Sequence, residues 1–236
     1  MMNVEHLGQY RVKSAAPGRE GDAVRRLPGP YSGGLAVGLL ANAVGGRKMR
    51  KFARAAARLG GAAAIGGLAW RAYNRFRGGD SAEDSLSRQA MPISWQYLAE
   101  AQFIPTEARE TEVLELLILR AIIAAANADG LIDWRERMLI LSRVEAMNAS
   151  ACEKEFLSDE IESPMSYKEL AGLARTPELA AKIYAASLMP LDSESQESRA
   201  YLGALAQSMG LPLGLVRELD RDADVLNAET RSAAVA

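Results

Sequence analysis

The side chains best suited to chemistry are five carboxylates in two short stretches: Asp129, Asp133 and Glu136, then Asp192 and Glu194. If the two stretches face each other, they form an oxygen-rich cluster. Such a cluster suits Ca²⁺, Mg²⁺ or Mn²⁺ rather than zinc. A divalent cation is therefore the one cofactor the residue types suggest, and none is certain. The same residues have a plainer use. Asp129-Gly130 ends one helix, Asp133 caps the next, and Glu136 completes a capping box. A cap of this kind contributes about 1 kcal/mol without any ligand. The spelling Asp-Gly-x-Ile-Asp also lacks the preceding acidic ligands of an EF-hand loop. Shifting the sequence by 61 residues places Asp133 on Glu194 and Glu136 on Glu197. This reads as a weak duplication of buried helix, acidic turn and helix.

The second candidate surface is basic. Arg47, Lys48, Arg50, Lys51, Arg54 and Arg58 form one block, and Trp70, Arg71, Tyr73 and Arg75 follow. Aromatic rings beside arginines suit an interfacial membrane anchor, or else a stripe packing on the other half of the chain. The uniform positive charge favours the anchor, with anionic lipid as partner. Nucleic acid is not expected, because Gly- and Ala-rich runs are poor groove readers. Cys152 stands in the first turn of a short helix, where a thiolate is favoured, but a plain, partly buried Cys is the commoner outcome.

The elements that must position these residues follow from composition and period. The chain has 236 residues, 49% apolar and 25% charged, enough for a real core. One Cys excludes a disulfide framework and a multi-Cys zinc site, and one His makes a Ser-His-Asp hydrolase improbable. Enzyme chemistry is not expected. Residues 23–79 hold eleven basic and no acidic residues, whereas residues 80–236 hold 27 acidic and 14 basic ones. Twelve of the 20 glycines fall between Gly29 and Gly79. Residues 1–30 read as a disordered tail with no secretory signal. Residues 31–77 read as a glycine-rich, basic, membrane-associating helical hairpin. Its apolar runs, Gly33 to Gly46 and Leu59 to Trp70, would reach about 21 and 18 Å as helices, short of a bilayer core of about 30 Å, and a single span from Leu27 to Gly46 is the alternative to the hairpin. Small residues at Gly34, Gly38, Asn42 and Gly46 allow close helix approach and self-association.

Residues 78–105 read as a linker or docking arm, with Trp95, Tyr97 and Phe103 packing on the helices after it. Residues 106–225 read as an independent all-helical domain. Val113 to Ala128 is its central buried helix, and a helix over residues 134–147 comes next. Ser150-x-x-Glu153 and Ser166-x-x-Glu169 open short helices. Thr176-Pro177 opens another, Gly210 stops the next, and Pro212 begins a last helix ending near Asp222. Residues 226–236 read as a frayed tail.

Residues 31–77, ending Gly66-Gly67-Leu68-Ala69-Trp70-Arg71-Ala72-Tyr73, resemble the YebE family of bacterial inner-membrane proteins. Residues 124–136, from Ala124 through Asp129-Gly130-Leu131-Ile132-Asp133 to Glu136, look like the acidic signature of the TerB-like (tellurite-resistance) helical superfamily. Ala174-Arg175-Thr176-Pro177-Glu178 and Ser198-Arg199-Ala200-Tyr201-Leu202 fit as well, with Ser198 standing where members carry Glu. The resemblance implies an all-α protein whose TerB-like bundle of about seven helices follows the glycine-rich segment. It implies residence at the bacterial inner membrane, and the charge pattern points to the cytoplasmic face. The expected role is a non-enzymatic adaptor or sensor with unknown protein partners. A soluble, self-associating metal-binding protein is the alternative.

Overall fold

A computed structural model describes residues 60–79, 91–128, 132, 134–146, 151–191 and 195–233, together with positions 54 and 56. The described residues form nine α-helices and no strand. They are α1 (Gly61–Gly78), α2 (Glu100–Phe103), α3 (Ala108–Ala128), α4 (Trp134–Ala146), α5 (Ala151–Glu162), α6 (Tyr167–Leu173), α7 (Pro177–Ser187), α8 (Gln196–Ser208) and α9 (Leu213–Ala233). A 3₁₀ turn at Ile93–Trp95 precedes α2. The all-α class and the seven helices from residue 106 onward agree with the sequence.

Local chemistry explains most boundaries. Ser166 Oγ accepts from Glu169 N–H, and the Glu169 carboxylate accepts from Ser166 N–H, so the capping box of α6 is complete. Ser195 caps α8 by accepting from Ser198 N–H. Gly210, at φ 63, ends the turn after α8. Pro177 takes the first position of α7, where a missing N–H leaves no bond unmade. Thr176 sits at the cap position, but its hydroxyl makes no cap bond. The last helix does not end near Asp222. It continues to Ala233, because residues 222–233 contain neither Gly nor Pro to break it.

The centre of the core is shared. α3 buries eleven residues, among them Leu119, Ile122 and Ala125. α7 buries every residue from Glu178 to Ser187, and a helix buried on all sides is an interior one. The largest departure from the sequence reading is α1. Its Ile65, Leu68, Ala69, Ala72, Tyr73 and Phe76 lie in the same core as α3, α7 and α9. Their spacing of three and four residues makes a single apolar stripe. The charge boundary near residue 80 is therefore not a packing boundary, and the core is not confined to residues 106–225. Gly66 marks the closest approach. A β-carbon there would stand 2.3 Å from the Phe103 carbonyl oxygen, so only Gly fits.

Candidate functional site

Most of the second apolar run is spent inside the protein. Tyr73 is fully buried, and its hydroxyl donates to the Trp95 carbonyl at 2.6 Å and accepts from Leu98 N–H at 3.2 Å. Its ring lies 5.4 Å from Phe103 and 5.9 Å from Trp70, and Trp70 lies 5.5 Å from Phe103. The three rings clamp the arm of residues 91–104 onto α1. Trp70 and Tyr73 thus take the packing alternative, not the exposed anchor. Burying such rings and satisfying the hydroxyl is worth more than leaving them at the surface. Trp95 and Phe103 are buried, but they meet α1, which precedes the arm, whereas the expected docking was on the helices after it; Tyr97 does not dock and is 81% exposed.

Two arginines of α1, Arg71 and Arg75, face α9. Arg75 pairs with Asp222 and lies 3.4 Å from Glu218, and Arg71 lies 3.9 Å from Asp222. Arg221 donates to Glu218 at 2.8 Å. The carboxylates are buried, with Asp222 only 3% exposed, while the side chains of Arg71 and Arg75 are 62% and 47% exposed. A buried carboxylate needs a nearby cation, and α1 supplies two. Arg71 and Arg75 are therefore engaged within the chain. Of the other basic residues singled out, Arg54 is exposed. Arg47, Lys48, Arg50, Lys51 and Arg58 lie outside the described residues.

The acidic turns are only bracketed. Asp129, Asp133, Asp192 and Glu194 lie outside the described residues, as does the side chain of Glu136 on α4. Beside the first turn, Arg137 donates to Asn127 Oδ1 and to the Glu162 carbonyl, each at 3.2 Å, tying the ends of α3 and α5 together. Beside the second, Glu197 accepts from Ser195 Oγ at 2.9 Å. Hydrogen bonds from its own backbone N–H and from Ser195 hold its carboxyl below the usual range. Ser198 is fully buried. Among the described residues, no group of three or more His, Cys, Asp or Glu side chains could hold a metal ion. No described helix is long and apolar enough to cross a membrane.

Two pairs of charged residues in the interior, Glu178 with Lys182 and Arg120 with Glu160, escaped the sequence reading. Lys182, on the interior helix α7, donates to the Gln102 carbonyl at 2.9 Å. Burial pulls its ammonium down to about 8, against the opposing pull of Glu178 and Glu110. Glu178, four residues earlier, is buried beside it in sequence. The spacing of Glu178 and Lys182 was the available signal, although such a pair reads first as a solvated helix face. Arg120 donates to Glu160 at 2.7 Å and sits over the Phe156 ring at 5.2 Å. Burial pushes the Glu160 carboxyl up despite that partner.

A family described as "Protein of unknown function (DUF533)" matches residues 30–223, most of the chain. No curated protein and no solved structure matches it.

Proposed function

The chain thus belongs to the DUF533 family, and we propose that it is a non-enzymatic adaptor attached to the cytoplasmic face of the bacterial inner membrane. One observation carries this reading: the positive charge divides at Gly60. Downstream, Arg71 and Arg75 are paired with carboxylates of α9, and Trp70 and Tyr73 are packed. Upstream, residues 47–58 hold six basic residues and no acidic one, with Arg54 exposed. That block concentrates the segment's basic residues, and it is the surface proposed to meet anionic lipid. Each Lys or Arg near anionic lipid contributes about 1 kcal/mol at most, so six give reversible attachment. The acidic helical region is then repelled from lipid and faces the cytosol, where it binds proteins. Its TerB-like character, self-association through the glycine-rich segment and a divalent cation at the acidic turns belong to the same proposal.

The test is co-sedimentation of the full chain with vesicles of neutral lipid and with vesicles containing anionic lipid. Pelleting is expected with anionic vesicles at low salt. It should disappear at high salt and in a variant with Arg47, Lys48, Arg50, Lys51, Arg54 and Arg58 replaced by Glu. Absence of binding at low salt, or equal binding to neutral vesicles, contradicts the proposal. Calorimetric titration with Ca²⁺, Mg²⁺ and Mn²⁺ tests the cation. Asp133→Asn should weaken binding while keeping the cap.

A further inference from the structure

We infer that Gly60 and Glu115 form a fixed elbow, which sets where Arg54 and Ala56 stand relative to the helical core. The first amides of a helix have no partner within it. α1 begins at Gly61, and its cap residue Gly60 has no side chain to supply one. Glu115, within α3, does so from outside. Burial pushes its carboxyl up, and hydrogen bonds from the backbone N–H groups of Gly61 and Ala62 oppose that shift. Its Oε1 lies 3.7 Å from where a β-carbon on Gly60 would be and 4.0 Å from one on Gly61. A carboxylate at this place also complements the positive end of the α1 dipole.

Gly60 itself has φ 86 and ψ 147, a conformation essentially reserved for Gly. Its N–H donates to the Ala56 carbonyl at 2.9 Å, and its carbonyl accepts from Ala64 N–H at 3.1 Å. Gly60 thus bonds back to Ala56 and forward into α1. Ala56 is buried in the core while Arg54 is exposed, so the chain is held on both sides of the bend. Glu115 is a positioning residue in this arrangement: removing its acceptor oxygens frees the start of α1 while leaving the α1 stripe packed. A constant placement of Arg54 relative to the helical core results, and its meaning at a membrane rests on the proposed function. The elbow itself does not.

The test therefore uses the full chain without lipid. With Cys152→Ser as background, Arg54→Cys and Gln207→Cys carry spin labels, and the distance distribution between them is measured. A narrow distribution is expected in the parent and in Glu115→Gln, which keeps an acceptor oxygen. Glu115→Ala should broaden it and speed amide exchange at Gly61 and Ala62 about fivefold, the effect of losing one helix cap. Gly60→Ala should displace the mean distance, and it decides the matter if Glu115→Ala does not fold. A broad parental distribution overturns the inference. So does a Glu115→Ala variant that keeps the parental width and exchange, a Glu115→Gln variant as loose as Glu115→Ala, or an unmoved mean in Gly60→Ala. Loss of vesicle binding with an intact elbow would remove the proposed function and leave the elbow standing.

Discussion

Two seams of the molecule use the same chemistry in opposite ways. Between α3 and α5, Arg120 and Glu160 are buried together, with the Arg120 side chain 12% exposed. Between α1 and α9 the carboxylates of Glu218 and Asp222 are buried, but their arginines reach water. In the first seam both partners are desolvated. In the second, only the acid is, and solvent screens the cation. The first seam thus gains from pairing only if both partners stay. The second can be loosened one arginine at a time. The lesson concerns α1. Basic residues that look free for lipid in the sequence are counter-ions for acids that the long last helix buries.

Arg120 carries the largest expected effect. Arg120→Ala leaves the Glu160 carboxylate buried without a cation and should cost about 3–5 kcal/mol by chemical denaturation. A double replacement, Arg120→Met with Glu160→Leu, should restore most of the loss, since a packed apolar pair often equals a buried ion pair. A double variant as unstable as the single one would show that the pair is worth more than its desolvation.

Lys182 is a third buried charge, and its test is pH. Its folded value is about 8, below the ordinary 10.5. Between these values the unfolded chain holds a proton that the folded chain has released. Stability therefore rises with pH across that window, by at most about 3 kcal/mol. Near pH 10 the slope should turn over. Burial pushes the Tyr201 hydroxyl from 10.0 to about 12, so there the unfolded chain loses its proton first. Lys182→Met should abolish the rise from pH 8 to 10. A rise that survives this change assigns it to another group.

The α1–α9 seam should give smaller effects. Arg75 touches both buried acids, and Arg75→Ala should cost about 2–3 kcal/mol, reduced from the fully buried case because water reaches the guanidinium. Arg71 is longer-ranged and more exposed, and Arg71→Ala should cost less than about 1 kcal/mol. Adding salt should shrink the Arg71 effect before the Arg75 effect. The reverse order would place Arg71 as the principal counter-ion.

The parts of the fold legible in the sequence were those written in local chemistry. The Ser166 box, the Pro177 start and the Gly210 stop depend on neighbouring residues alone. The interior position of α7 was not legible, because Glu178 and Lys182 resemble a wet helix face until the elements around them bury it. The docking of α1 was half legible. The spacing of Trp70, Tyr73 and Phe76 defined a stripe but not what it would meet, and Gly66 acquired its meaning only from the Phe103 carbonyl. Of the candidate site, the basic and aromatic residues from Trp70 to Arg75 were found and their role reversed. The acidic turns were singled out from local spelling, and four of their five residues fall outside what the structure describes.

The central claim is that α1 belongs to the core of the helical region. Thermal unfolding of two shortened chains tests it most directly, one running from Arg47 to Ala236 and one from Asp80 to Ala236. The longer should melt cooperatively, close to the full chain. The shorter lacks Ile65, Leu68, Tyr73 and Phe76 and leaves Glu218 and Asp222 without Arg71 and Arg75. It should melt at a far lower temperature or show no cooperative transition. If the chain from Asp80 melts with the same midpoint and cooperativity as the longer one, α1 is dispensable to the core and the account is contradicted.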